Sequence, residues 1–209
     1  MSIKLKHSGG NSVSLNPPTS APTSSDVAFK LPNADGSANQ VIKTDGSGNL
    51  GFTTPAASAF SSYAIICDQK SAGTAGGSSS TGAFYNRDLN TELADPDNIV
   101  SISNNKFTLQ AGSYLIKASC PAHLANAHSC LIHNETDGQM VEVGTSEYVF
   151  EGGSTTRCFV MGRTTITSAK EFSIRHRVGR AEASNGLGVP NNFDLTVEKY
   201  TMVEIYKEA

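Results

Sequence analysis

From Tyr63 to the end of the chain, short apolar runs recur about every ten to twenty residues, and helical spacing is hard to find among them. YAIIC (63–67), SYLIKAS (113–119), CFVMG (158–162) and TMVEIY (201–206) are the clearest. Between them the chain alternates. Phe107 and Leu109 alternate with Thr108 and Gln110 before the turn Ala111-Gly112, and then Tyr114, Ile116 and Ala118 alternate with Ser113, Lys117 and Ser119. Phe172, Ile174 and Val178 alternate with Ser173, Arg175 and Arg177, which leaves His176 on the apolar side. A period of two, punctuated by Gly, Asn, Asp and Ser, predicts half-buried strands. Many such strands in one chain predict an all-β, antiparallel sandwich or jelly roll.

The first 60 residues are of another kind. They are dominated by Gly, Ser, Thr, Asn, Pro and Asp, with isolated apolar residues only, and so cannot bury enough surface to offset their own ordering entropy. The chain therefore reads as an extended arm, residues 1–60, followed by one compact head, residues 61–209, of roughly 145 residues. Pro17, Pro18, Pro22 and Pro32 push their predecessors towards extended geometry, predicting a strap with few contacts. In LPNADGSANQVIKTDGSGNLGF (31–52), Asp35-Gly36 and Asp45-Gly46 bracket a short apolar element. Because Asp-Gly supplies the positive φ of tight hairpin turns, a small β-meander is expected, with strands around Val41 and from Asn49 to Phe52. A ribbon this small is marginal alone in water. Val41, Ile42, Leu50 and Phe52 are its candidate anchoring residues, for attachment by strand addition or groove binding; an inert linker is the plainer alternative.

In the last strand, LTVEKYTMVEIY (195–206), Leu195, Val197, Val203 and Ile205 fall on one face, and Tyr200, Met202 and Tyr206 on the other. The outer face of a two-sheet sandwich is normally polar, so a second cover is expected here. A copy of the same chain is the simplest source, with the arm folded back as the alternative. Leu195, Val197, Tyr200, Met202 and Tyr206 are the candidate residues of an interface with such a copy.

A net charge of −3 gives no electrostatic footprint for nucleic acid. The chain has no run of eighteen apolar residues, and no apolar stretch follows the basic start MSIKLKHSGG, so neither membrane insertion nor secretion is expected. Synthesis in a cytoplasm follows. Cys67, Cys120, Cys130 and Cys158 are scattered without a close pair and read as buried thiols in a reducing compartment, with a disulfide or a metal site as alternatives.

His123, His128 and His133, spaced by five, lack the closer pairing usual in zinc sites and read as loop or core-edge histidines. Arg175, Arg177 and Arg180 form a basic patch that could meet an anionic glycan or phosphate, or pair with Glu171 or Glu182. The loop SAGTAGGSSSTG (71–82) lacks the parts of a phosphate cradle and reads as long and flexible. Asp95, Asp97 and Asn98 offer oxygens for calcium, but turn chemistry around Pro96 explains them with less assumption. No nucleophile elbow or paired acids appear, so no catalysis, cofactor or metal is expected.

The segments RDLNTELADPDNIVSISNNKFTLQAGSYLIKASCPAHL, LIHNETDG, FSIRHRV and VEIYKEA, in that order, resemble the globular heads of the complement-q and tumour-necrosis-factor superfamily as they occur in phage proteins. The resemblance covers residues 63–209 and is most specific from Phe107 to Pro121. The arm, with KLKHSGGNS and the 31–52 stretch, resembles N-terminal segments of structural and fibre-like proteins of marine cyanophages. Such heads are ten-stranded jelly rolls packed as threefold trimers. The resemblance thus implies a homotrimeric virion protein, made in the host bacterial cytoplasm and attached to other virion proteins of the capsid or tail through its arm. The alternative is a tail-fibre tip that binds a host surface glycan or protein. The chain has no Trp and no collagen-like repeat, so complement-type signalling partners are not implied.

Overall fold

The computed structural model describes residues 3–16, 18–20, 28–55, 58–150, 152–193 and 196–209. Every regular element among them is a strand. The chain divides into two compact units, Met1–Ala57 and Ser58–Ala209. Pro17, Pro22 and Leu195 lie outside the described residues.

Among its described residues the first unit holds two antiparallel hairpins. The first, β1 (Ile3–Lys6) with β2 (Ser12–Leu15), is not foreseen by the sequence reading; its turn is closed by the His7 N–H on the Asn11 carbonyl at 2.8 Å. The second is the expected meander, β3 (Val41–Thr44) with β4 (Leu50–Thr53). Its turn is built by Asp45. One carboxylate oxygen accepts the Ser47 and Asn49 N–H groups at 2.8 and 3.1 Å, while Gly46 and Gly48 take φ of +81° and +88°. The Phe52 ring lies over Gly36, where a Cβ would come within 2.7 Å of it. Val41, Ile42 and Phe52 are exposed and Leu50 is half-buried.

The second unit contains β5 (Phe60–Ser71), β6 (Tyr85–Asn86), β7 (Thr91–Ala94), β8 (Val100–Ser103), β9 (Lys106–Leu109), β10 (Gly112–His123), β11 (Asn126–Asn134), β12 (Gln139–Val143), β13 (Glu147–Val149), β14 (Thr155–Ile166), β15 (Lys170–Val178) and β16 (Val197–Glu208). One sheet runs β14-β10-β16-β5-β7; the other runs β12-β11-β15-β9-β8, with β13 on β11 and β6 on β15. All of these pairings are antiparallel. From β9 to β11 and from β13 to β16 the chain crosses between sheets at each step, so sequence neighbours face each other across the core. This is an all-β, antiparallel jelly roll.

Alternation decides the core. Tyr114, Ile116, Ala118 and Cys120 of β10 point inward with Val160 and Cys158 of β14 and Val203 and Ile205 of β16. They meet Cys130 and Ile132 of β11, Phe172 and Ile174 of β15, and Phe107 and Leu109 of β9. The Phe107 and Phe172 rings stack with centroids 5.7 Å apart.

The last strand departs from strict alternation. A register shift between Lys199 and Met202 buries Tyr200 and Thr201 in succession. Tyr200 is covered by its own chain: its hydroxyl donates to the Thr74 carbonyl at 2.7 Å and its ring packs on Gly188. This corrects its place among residues free to meet a second chain, since a loop of the same head already occupies that surface. The 71–82 loop is likewise tied down rather than flexible. Gly76 N–H donates to Gly188 O at 2.9 Å, Leu187 N–H to Gly77 O at 3.0 Å, and Ser79 forms a bridge with Glu182.

Candidate functional site

The alternation that builds the core also delivers polar groups into it. Cys120 and Cys158 are direct partners in the β10–β14 ladder, and Cys130 is the partner of His176 in the β11–β15 ladder of the facing sheet. Because all four point inward, three thiols from three strands converge across the sandwich, their sulfur atoms all within 4.8 Å of one another. All four cysteines are buried free thiols, as expected, and three of them gather although they are scattered in sequence; Cys67 stands apart from this group. A second triplet, His128, Cys158 and His176, meets the same 4.8 Å limit and shares Cys158 with the first.

Above the histidines sits Arg87, which follows β6 and has 0% of its surface exposed. Its Nε donates to Thr201 Oγ1 at 2.8 Å, Nη2 to the Leu187 carbonyl at 2.8 Å, and Nη1 to the Pro121 carbonyl at 3.2 Å. Nη1 also lies 3.3 Å from His176 Nδ1. All four partners are uncharged. A guanidinium removed from water without an anion is costly, so the surrounding dipoles and any nearby thiolate carry its charge.

The contacts fix the protons. Arginine only donates, so His176 Nδ1 is the acceptor and a neutral His176 carries its proton on Nε2. That atom lies 3.0 Å from His128 Nδ1 and 3.7 Å from Cys158 Sγ. His128 in turn carries its proton on Nε2, 2.8 Å from Thr156 Oγ1. Burial disfavours the charged form of both rings, and Arg87 adds to this; His176 is pushed down to about 3.

The thiols are differentiated. Burial alone would push Cys120 up, but hydrogen bonds from Cys130 and Cys158, with the charge of Arg87, outweigh it and hold Cys120 well below the usual thiol range. Hydrogen bonding to Cys120 raises Cys158 and, with its bond to Cys158, Cys130.

Of the histidines singled out by spacing, only His128 joins this group. His123 Nδ1 is paired with Thr155 Oγ1 at 3.0 Å, and His133 Nδ1 stands 3.3 Å from Glu135. Of the basic patch, Arg175 makes two bonds to Glu135, at 3.0 and 2.8 Å, and Arg177, two residues further along β15, is exposed. Asp95 spends both carboxylate oxygens on the Ile99 and Val100 N–H groups, at 2.8 and 2.9 Å, as turn chemistry requires. Arg87 is the residue that sequence reasoning missed, since Asn-Arg-Asp reads as a polar loop.

A second feature lies on the outer face of the five-stranded sheet. The registers place Phe159, Ser119, Met202 and Cys67 in one row across the strands, Met161, Lys117, Glu204 and Ile65 in the next, and Arg163, Leu115, Tyr206 and Tyr63 in a third. Phe159 is 54% and Met161 61% exposed. An open groove of about 600 Å³ runs beside them, lined also by Val143 and Met202.

No family model matches this sequence, and no curated protein is similar to it. Among solved structures the chain is similar to murine APRIL at pH 5.0, with 10% identity and a TM-score of 0.47 over 70% of this chain and 98% of that one. It is similar also to the globular domain of zebrafish complement 1qA, with 10% identity and a TM-score of 0.46 over 70% and 96%. The Eiger TNF of S. frugiperda aligns at 12% identity with a TM-score of 0.44 over 70% and 92%.

Proposed function

We propose that the chain is a non-enzymatic structural protein of a phage virion, a homotrimeric appendage held to the capsid or tail by its arm with the head directed outward. The observation that carries the trimer is the outer face of the five-stranded sheet. Phe159 and Met161 of β14, the half-buried Met202, and the row Leu115, Tyr206 and Tyr63 put apolar side chains on both sides of Ser119, Lys117 and Glu204, on a sheet whose other side is already the core. Exposed apolar side chains gathered on one face are characteristic of association sites. Second and third copies of the same chain are the occupants, because charges alternate with the apolar rows. Lys117 with Glu204 inside the face, and Arg163 with Glu208 at 2.6 Å at one end of it, supply both signs, as a surface that meets itself requires.

The reading of the arm rests on its hairpins, which are too small to be stable alone and keep Val41, Ile42 and Phe52 exposed, and on its resemblance to the arms of cyanophage structural proteins. A non-enzymatic role fits the burial of the polar cluster, whose three thiols and His176 are each 0% exposed and out of reach of a substrate.

Light scattering of the full chain over a hundredfold concentration range around micromolar tests assembly. A concentration-independent trimer is expected, and a monomer throughout would overturn the reading. Mass spectrometry of purified particles of the encoding phage tests the location.

A further inference from the structure

The buried cluster suggests a site that the proposed virion role does not use. We propose that Cys120, Cys130 and Cys158 form a thiolate site for one zinc ion, with His128 Nδ1 closing the fourth position. Each part of this follows from the placement of donors across the sandwich.

Three sulfurs within 4.8 Å of one another are close to the edges of a tetrahedron. Zinc–sulfur bonds of about 2.3 Å imply S···S edges of about 3.8 Å, so less than about 1 Å of closing motion per edge suffices. The three come from β10, β11 and β14, so an ion there would tie the two sheets together from inside. The set is soft, and thiolates select zinc or monovalent copper over magnesium or calcium.

Proton placement selects the fourth ligand. His176 must accept from Arg87 at Nδ1, so its remaining proton occupies Nε2 and blocks that atom as a ligand. His128 carries its proton on Nε2, towards Thr156, and leaves the Nδ1 lone pair facing His176; its ring lies within 4.8 Å of Cys158, and it would move towards Cys120 and Cys130 to complete the site. A ligating imidazole that donates its other N–H to an oxygen is the usual supporting arrangement of a metal-bound histidine. Once His128 Nδ1 binds metal, the His176 Nε2–H is freed to point at Cys158 Sγ, 3.7 Å away.

Charge closes the account. A zinc ion with three thiolates and a neutral imidazole carries −1, and Arg87 carries +1 without any carboxylate partner among the described residues. The buried guanidinium and the metal complex therefore neutralise each other. Binding releases the thiol protons of Cys130 and Cys158 and any remaining on Cys120; no electron is transferred. A surface depression of about 380 Å³, lined by Phe84, Ala127, His128, Ser129 and Glu147, brings solvent as far as His128.

The test uses the full chain stripped with chelator under reducing conditions. Titration with Co²⁺ reads thiolate ligation directly through charge-transfer and tetrahedral d–d bands, and Zn²⁺ should then bleach these bands at one equivalent per chain. Zinc should also raise Tm and protect three of the four thiols from alkylation. Cys67→Ser should retain all of this, whereas Cys158→Ser should lose the cobalt bands. His128→Ala should keep the sulfur charge-transfer bands but bind more weakly, by about 10–100-fold. Where Cys158→Ser fails to fold, the wild-type spectrum and alkylation pattern decide alone. A folded wild-type chain with no cobalt–thiolate band and thiols indifferent to zinc overturns the proposal, as does a preference for monovalent copper with no zinc uptake.

Discussion

Arg87 Nη1 lies 3.3 Å from His176 Nδ1, and this one contact sets the protonation of two imidazoles inside the jelly roll. It also makes Arg87 the link between the loop at Leu187, the end of β10 at Pro121 and the bulge at Thr201. Arg87→Met keeps the volume but strands those acceptors away from water. A loss of roughly 2–4 kcal/mol in urea unfolding is expected, since buried neutral acceptors left without a donor cost about 1–3 kcal/mol each and removal of the unpaired charge offsets part of this. Arg87→Lys retains the charge but not the fork of donors and should also destabilise. If Arg87→Met unfolded at the wild-type urea concentration, the network would contribute nothing to the fold.

The strands were legible because alternation is local. Phe107 to Leu109, Tyr114 to Ala118 and Phe172 to Val178 each announce their inward face within a few residues, and His176 was readable as inward on that pattern alone. The buried cluster was not, for a physical reason. That Cys120, Cys130 and Cys158 converge depends on the β10–β14 register and on the placing of one sheet over the other, both non-local. Arg87 lay further out of reach, since its acceptors come from four separate parts of the chain. The bulge at Tyr200 and Thr201 defeated strict parity, and the β1–β2 hairpin has strands of only four residues, too short for their alternation to stand out.

Glu135 gives the clearest dependence on pH. Burial would raise its pKa, but the bonds from Arg175 and Ser173 outweigh this and hold it below the ordinary glutamate value of 4.5. The folded state therefore releases this proton more readily than the unfolded state. The resulting stabilisation is full above about pH 4.5 and is lost as the pH falls through the folded value. Urea unfolding of wild type and Glu135→Gln should differ by about 1–2 kcal/mol near pH 7 and converge on acidification. Other lowered carboxylates, Asp137 and Glu208 among them, are present in both proteins and cancel in the difference. A gap that stayed constant from pH 7 to 3 would remove the assigned cause.

Gly188 is required by both backbone and packing. Its φ is +144°, and a Cβ there would meet the Tyr200 ring at 2.1 Å. Gly188→Ala must push the ring off its seat or move the loop that carries the Leu187 carbonyl to Arg87. A loss of roughly 2–4 kcal/mol is expected from overpacking and backbone strain together. Tyr200→Phe, which removes only the bond to Thr74, should cost about 1 kcal/mol. Similar midpoints for the two variants in a thermal melt would contradict the close packing of this loop.

Association and folding should separate at Met161. Its side chain is 61% exposed on the outer face of β14, so Met161→Glu changes little inside the head, and unfolding should stay within about 0.5 kcal/mol of wild type. In an assembled trimer the same carboxylate would be taken from water into an apolar surface beside Phe159 and Met202, with only Lys117 opposite it in the ladder. Desolvating it there costs several kcal/mol, more than an interface of standard size tolerates at micromolar concentration. Sedimentation should therefore show a folded monomer for Met161→Glu and, as proposed, a trimer for wild type. Met140→Glu, a change at an equally exposed methionine on the facing sheet, should leave the trimer intact. If both variants dissociated, or neither did, the interface would lie elsewhere than on the β14-β10-β16-β5 face.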